Sequence, residues 1–378
     1  MSVTGTIDPV LLSVAAVLPT PEYSTEELLT AGRGRLSDKL VDMLGGLGVR
    51  KRHSVLSNYP DVLFGAADPV LEIETADLAV AAARQCFEKS AVSPDSIGLV
   101  LGVTSAPGRL LPSLVCDVIA RMPEIPRTVS NLSIEYMGCS AMAKVVETAR
   151  WYLSCNPGKN VLVCFAEAIT PMSPPLPGFY SHFSEVPAAQ RQSSVDALHG
   201  FLFADASVAM ILGAEGEGPS FGPVINLTNE LPSDAELGTV PDGGSDIPVV
   251  HGRRIYTLSA DVTPRGSYYA EQTVRRLLDE DACTLETPAA ASALLLHTGS
   301  IRILDALCDR FGVARDAESI ASSYRVLQEY GNTLGCSVPL MVAEPTHRTA
   351  GQAILVTFGL SFSCGAFTMT VPEGGWSA

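Results

Sequence analysis

Three short segments from the first half of the chain recur, in the same order, in the second. Residues 99–105 (LVLGVTS) are matched by 294–300 (LLLHTGS), 138–145 (GCSAMAKV) by 335–342 (GCSVPLMV), and 161–165 (VLVCF) by 354–358 (ILVTF). The offsets are 195, 197 and 193 residues. Single matches of this length arise by chance, but three in order at nearly one offset predict a duplicated chain. Whatever the first half folds into, the second should repeat.

The matched pieces alternate between two patterns. Residues 97–104 and 160–166 are unbroken apolar runs, which read as strands covered on both faces. Residues 77–90 and 140–154 carry apolar positions at helical spacing, and the same alternation resumes from Tyr269 onward. The chain is therefore expected to be an α/β protein of two halves, 1–227 and 247–378. A Pro- and Ser-rich stretch at 170–200 reads as an insertion too long to be an idle loop, and the acidic, Gly/Pro-containing segment 228–246 as the linker.

Composition closes off other classes. Of 378 residues, 47% are hydrophobic and 17% charged, which excludes bulk disorder. Asp and Glu number 41 against 25 Lys and Arg, a net charge of −16, so a broad nucleic-acid footprint is not expected. An anionic partner would have to find a local basic patch, for which Arg50, Lys51, Arg52, Arg253 and Arg254 are the candidates. The longest apolar runs, at 10–18 and 161–169, are too short to span a membrane. The first 20 residues have no basic leader and read as a strand rather than a signal peptide. Nine cysteines with no C-x-x-C pair suggest reduced thiols and a cytoplasmic protein.

Cys139 differs from the other cysteines in its setting. It follows Gly138 and precedes a helical pattern through Met142, Val145, Val146, Ala149 and Leu153, so it should sit at a strand-to-helix turn. A helix N-terminus can lower a thiol's pKa and hold an oxyanion, although a small residue packing helix onto sheet would look the same. His297 ends the apolar run 291–296, where α/β folds favour ligands; a satisfied core histidine is the alternative. Asn332 (YGNT) precedes a segment that looks helical from about Pro339, and could equally be a turn or cap residue. The remaining five histidines show no metal-ligand spacing.

The ordered set Cys139, His297, Asn332 on a duplicated chain resembles the thiolase superfamily. Within it, the likeness is to β-ketoacyl-acyl-carrier-protein synthase III and the chalcone-synthase-like type III polyketide synthases. It is carried by 47–53 (LGVRKRH), 137–141 (MGCSA), 196–213 (DALHGFLFADASVAMILG), 297–304 (HTGSIRIL) and 330–339 (YGNTLGCSVP). The glycine-rich closing loop departs from the type III pattern: 358–365 (FGLSFSCG) lacks G-F-G-P-G.

The resemblance implies a thiolase fold, two duplicated halves in a five-layered α-β-α-β-α arrangement, and a homodimer. It implies that Cys139 takes an acyl group from a thioester and that His297 and Asn332 stabilise the enolate of a decarboxylating malonyl thioester. A second hole, from the Cys139 N–H and the turn at 358–362, would hold the tetrahedral oxyanion. Arg50, Arg52 and Arg253 would meet the phosphates of coenzyme A or of an acyl carrier protein, and neither a resident cofactor nor a metal is implied. The competing reading is an acyltransferase that passes the acyl group from Cys139 to an alcohol or amine, but a transfer of that kind needs no enolate stabiliser.

Overall fold

The structure is a computed structural model that describes residues 7–173, 175–176, 196–240, 256–297, 299–344, 350–359 and 362–376. Its main sheet has nine strands: β1 (Val10–Val17), β2 (Ile97–Thr104), β3 (Ser130–Glu135), β4 (Asn160–Glu167), β5 (Ala206–Gly213), β6 (Ser220–Thr228), β7 (Leu294–Leu296), β8 (Gly351–Gly359) and β9 (Ser363–Val371). Their order is β7-β8-β9-β6-β1-β5-β4-β2-β3. The apolar runs at 97–104 and 160–166 are β2 and β4, and both are buried along nearly their whole length, as unbroken hydrophobicity requires.

The duplication is visible in the strand pairing. Outward from the middle, the first half runs β1-β5-β4-β2 and the second β6-β9-β8-β7. In each, the first two pairings are antiparallel and the third parallel. Leu99 lies opposite Val161 in one half and Leu294 opposite Ile354 in the other, so two of the matched segments pair with each other in the same register. The halves touch at the sheet's centre through one residue pair, Val10 with Ser220. Strand β3 extends the first half, and the second has no equivalent strand among the described residues.

Seven helices cover this sheet: α1 (Thr75–Glu88), α2 (Leu114–Arg121), α3 (Ala141–Cys155), α4 (Val262–Leu278), α5 (Ile301–Phe311), α6 (Ala321–Tyr330) and α7 (Ser337–Ala343). Helix α3 packs against β2, β3 and β4 on one side and β6, β8 and β9 on the other; α7 likewise meets β1 and β5, then β7 and β8. Both are buried between the two half-sheets, and the largest apolar cluster is built around them. Helices α1 and α2 close the outer face of the first half, and α4, backed by α5, that of the second. The layers are thus α-β-α-β-α.

Helix α7 begins at Ser337, two residues before the position read from sequence; Pro339 falls in its first turn, where a missing N–H costs nothing. Before the first repeat element, the short helices Thr25–Ala31, Asp38–Gly45 and Tyr59–Leu63 pack in a separate cluster with Ala197, Leu198 and Phe201. Most of the 170–200 insertion lies outside the described residues, as do 241–246 of the segment read as the linker; its residues 228–240 are described and continue from the end of β6, which already pairs within the second half.

Candidate active site

Beyond β3 the chain turns sharply into α3. Tyr136 and Gly138 take positive φ values of 59° and 53°, and residues Gly138–Ser140 form a short helical turn ahead of Ala141. At position 138 glycine carries this conformation without strain, whereas at Tyr136 it is a local cost of about 1–3 kcal/mol. Cys139 therefore sits at the strand-to-helix turn read from sequence, and it is buried. The end of β8 lies directly against it: a methyl group at Gly359 would come within 2.5 Å of the Cys139 backbone nitrogen. Any larger residue there would push the nucleophile's turn away.

The repeat places a second such turn beside the first. Residues Leu334–Cys336 lead into α7 as Gly138–Ser140 lead into α3. Between the two turns stands Glu167, the last residue of β4 and almost fully buried. Its carboxylate accepts from the backbone N–H groups of Ser105 (2.8 Å), Ala106 (3.0 Å) and Gly335 (3.1 Å) and from the Thr104 hydroxyl (3.4 Å). The Ser105 hydroxyl in turn accepts from Gly138 N–H at 2.7 Å. Burial pushes the Glu167 carboxyl up to about 8, against four hydrogen bonds that favour the charged form. The sequence reading passed over Glu167, although a lone carboxylate ending an apolar strand was a signal.

The Cys139 thiol differs from expectation. A helix N-terminus was expected to lower its pKa, but burial, reinforced by the Glu167 charge, holds it well above the ordinary value. The helix end is worth about 0.3–1 kcal/mol, less than the cost of a thiolate in an apolar enclosure. The resting group is a thiol, so its proton must leave as the substrate carbonyl is attacked.

Cys139, His297 and Asn332 line one cavity of about 80 Å³, whose other walls include Leu202, Phe203, Leu258, Val262, Phe358 and Phe362. His297 follows β7, its backbone N–H bonded to Val356 O at 3.0 Å. The ring packs edge-on against Phe358 with centroids 5.2 Å apart. Desolvation lowers its pKa to about 3, so it is neutral at any working pH. Its Nδ1 is enclosed, with no partner among the described residues. With no acceptor there, the single ring proton is better placed on Nε2.

The Asn332 side-chain oxygen accepts from Leu334 N–H at 3.0 Å, which fixes the amide orientation and leaves its NH₂ without a hydrogen bond among the described residues. Leu334 and Phe362, both in the cavity wall, hold φ values of 49° and 42°. Strained backbone is thus concentrated at this site. Of the oxyanion turn expected at 358–362, Gly359 lies against the Cys139 nitrogen; Leu360 and Ser361 lie outside the described residues.

The basic candidates are not gathered here. Arg52 is fully enclosed, bonded to Thr25 Oγ1 at 2.7 Å and to Phe201 O at 2.9 Å, so it cannot meet a surface phosphate. Arg50 is exposed but paired with Glu329, and Lys51 is shared between Glu22 and Glu329. Arg253 and Arg254 lie outside the described residues. Arg302, which sequence reasoning did not single out, is exposed beside the cavity residue Ile303 and near the N-terminus of α5. Among the described residues no group of three or more His, Cys, Asp or Glu side chains could hold a metal ion, and no helix is long and apolar enough to cross a membrane.

Comparison with known proteins agrees with this architecture. Residues 286–371 match the family of 3-oxoacyl-[acyl-carrier-protein] synthase III C-terminal domains, and residues 66–173 the family of FAE1/type III polyketide synthase-like proteins. The β-ketoacyl-[acyl-carrier-protein] synthase III of Oleidesulfovibrio alaskensis is 26% identical over 304 residues, covering 77% of this chain and 83% of that protein. A Streptomyces coelicolor synthase III is 27% identical, covering 79% and 83%. Among solved structures, the C-terminal type III polyketide synthase domain of Steely1 from Dictyostelium superimposes with a TM-score of 0.77 at 19% identity, covering 96% of this chain and 99% of that one. The priming β-ketosynthase of the R1128 polyketide pathway does so with a TM-score of 0.74 at 20% identity, covering 98% of each. The chain thus shares the duplicated five-layered fold of these solved structures, and in sequence it is similar to β-ketoacyl-acyl-carrier-protein synthase III and to the type III polyketide synthase-like proteins.

Proposed function

We propose that this chain is a decarboxylative condensing enzyme that joins an acyl group carried on Cys139 to a malonyl thioester. The observation that carries the reading is the convergence of Cys139, His297 and Asn332, from three distant segments, on one apolar cavity. Cys139 Sγ attacks the acyl thioester carbonyl, and the departing thiol takes up the proton that Cys139 loses. The malonyl thioester then loses carbon dioxide, and its enolate oxygen receives hydrogen bonds from His297 Nε2–H and the Asn332 amide. Both donors are neutral, so they favour negative charge on the enolate oxygen without binding the malonyl carboxylate as an ion pair. The enolate carbon attacks the acyl carbonyl, and Cys139 leaves as a thiolate that takes a proton from solvent to regenerate the resting thiol.

At about 80 Å³ the cavity is well below the roughly 300–1,000 Å³ of sites for drug-sized ligands, which favours a short starter acyl group. The test is intact-protein mass spectrometry with a panel of acyl-coenzyme A thioesters, followed by malonyl-coenzyme A. Loading of one acyl group that discharges only with malonyl-coenzyme A and releases carbon dioxide is the expected result. Discharge that instead requires an alcohol or amine would replace the condensing reading with acyl transfer.

Coenzyme A and carrier-protein thioesters both present phosphate on a pantetheine arm, and the reading requires no resident cofactor. Arg302, exposed in the first turn of α5 and next in sequence to the cavity residue Ile303, is our candidate contact for that phosphate, in place of Arg52. Arg302→Glu should raise KM for the acyl thioester several-fold while leaving kcat within twofold. An unchanged KM would exclude the contact.

We also place the boundary between the two halves ahead of β6, between Gly213 and Ser220 rather than in 228–246, because β6 pairs with β9 of the second half, and we read the protein as a homodimer. Strand β3 is an edge strand of the main sheet, and Leu132 on it and Tyr136 just after it are exposed apolar side chains. Such an apolar sheet edge is ordinarily covered. Light scattering should give twice the 39.8 kDa chain mass, and a monomer at micromolar concentration would remove this part of the reading. Nine unpaired cysteines fit a reducing compartment such as the cytoplasm.

A further inference from the structure

Tyr256 contributes to the site without lining the cavity. It is buried in a small apolar cluster that holds Cys139, Ala106, Ile169, Phe203 and Leu334. Its hydroxyl donates to the carbonyl oxygen of Ser105. That residue is already bonded to the nucleophile's turn through Gly138 N–H and to Glu167 through its own N–H. On the other side, Thr257 and Leu258 pair with Thr239 and Gly238 in a two-stranded ribbon, and Leu258 and Gly238 line the Cys139 cavity. The hydroxyl therefore joins the ribbon that walls the cavity to a residue that holds the Gly138 turn.

We propose that Tyr256 is a positioning residue for the nucleophile, acting through Ser105 rather than by touching substrate. Phenylalanine would fill the same space and leave the ribbon in place. It would leave the buried Ser105 carbonyl without this donor and free the turn that carries Cys139 to shift. Burial holds the Tyr256 pKa well above its ordinary value, so the hydroxyl remains a donor at any working pH. The proposal rests on the reading of Cys139 as the acylated residue, and its test separates the two.

Two rates are measured for the unsubstituted protein, Tyr256→Phe, Ser105→Ala and the double variant. One is alkylation of Cys139 by iodoacetamide, followed on its own peptide by mass spectrometry; the other is acylation by the best starter thioester. Thermal melts establish that each variant is folded. Each single substitution should slow both rates at least threefold with KM for the thioester within twofold, and the double variant should be no slower than the worse single. Unchanged rates for Tyr256→Phe, a change confined to KM, or losses that multiply in the double variant would each overturn the proposal. Failure of the unsubstituted protein to acylate would sink the functional reading alone, because the alkylation rates still decide whether Tyr256 and Ser105 act as one unit.

Discussion

Cys139→Ala should abolish acyl-enzyme formation, so that no mass adduct appears with any thioester and condensation falls by about three orders of magnitude or more. No neighbouring cysteine is placed to substitute. Cys336, which occupies the equivalent position in the repeat, is enclosed, with its thiol directed to Ala206 O at 3.4 Å. Cys364 is buried on the far side of β9, in contact with Thr273. Among the residues lining the cavity, Cys139 is the one cysteine. The variant should fold normally, since exchanging a thiol for a hydrogen leaves the backbone turn at Gly138 and the contact with Gly359 intact. Cys336→Ala is the matching control and should load as the parent does. Loading that survives in Cys139→Ala, or is lost in Cys336→Ala with the fold intact, would move the nucleophile elsewhere.

Much of this site was legible because the chain repeats itself. The unbroken apolar runs at 97–104 and 160–166 could only be strands covered on both faces, and their partners at 294–300 and 354–358 fixed the second half by analogy. Turn residues were legible through local chemistry: a glycine before Cys139, and an asparagine ahead of a proline-bearing first turn. What pattern could not supply was burial. Arg52 looked like a surface cation because it sits among Arg50 and Lys51, yet strand alternation turns it inward while its neighbours face Glu22 and Glu329. The Cys139 thiol was expected to be acidic because the helix end is visible in the sequence, whereas the apolar walls contributed by Phe203, Leu334 and Phe358 come together only in the fold. Glu167 was missed for a related reason. Its partners lie at 104–106 and 335, distances along the chain that no local motif spans.

Asn332 separates acylation from condensation, and two substitutions divide its roles. Asn332→Ala should leave Cys139 loading within a few-fold of the parent and reduce malonyl-dependent discharge by about 10²–10³-fold, the usual loss when one oxyanion donor is removed. The alanine variant also strips the acceptor from Leu334 N–H, beside a residue held at a φ of 49°, so part of any loss could come from the turn. Asn332→Asp removes that ambiguity. Aspartate keeps an oxygen for Leu334 N–H and nearly the same shape, but it has no N–H to give and places a carboxylate where the enolate oxygen must form. The geometry should therefore survive in Asn332→Asp while condensation falls at least as far as in the alanine variant. His297 provides no compensation by becoming charged, because its enclosure keeps the ring neutral down to about pH 3. If Asn332→Asp condenses at the parent's rate, the amide is not the enolate's donor and Asn332 is only a turn residue. If acylation and condensation fall together in both variants, the substitution has disturbed Cys139 itself, and the division of labour between the two halves of the site would have to be redrawn.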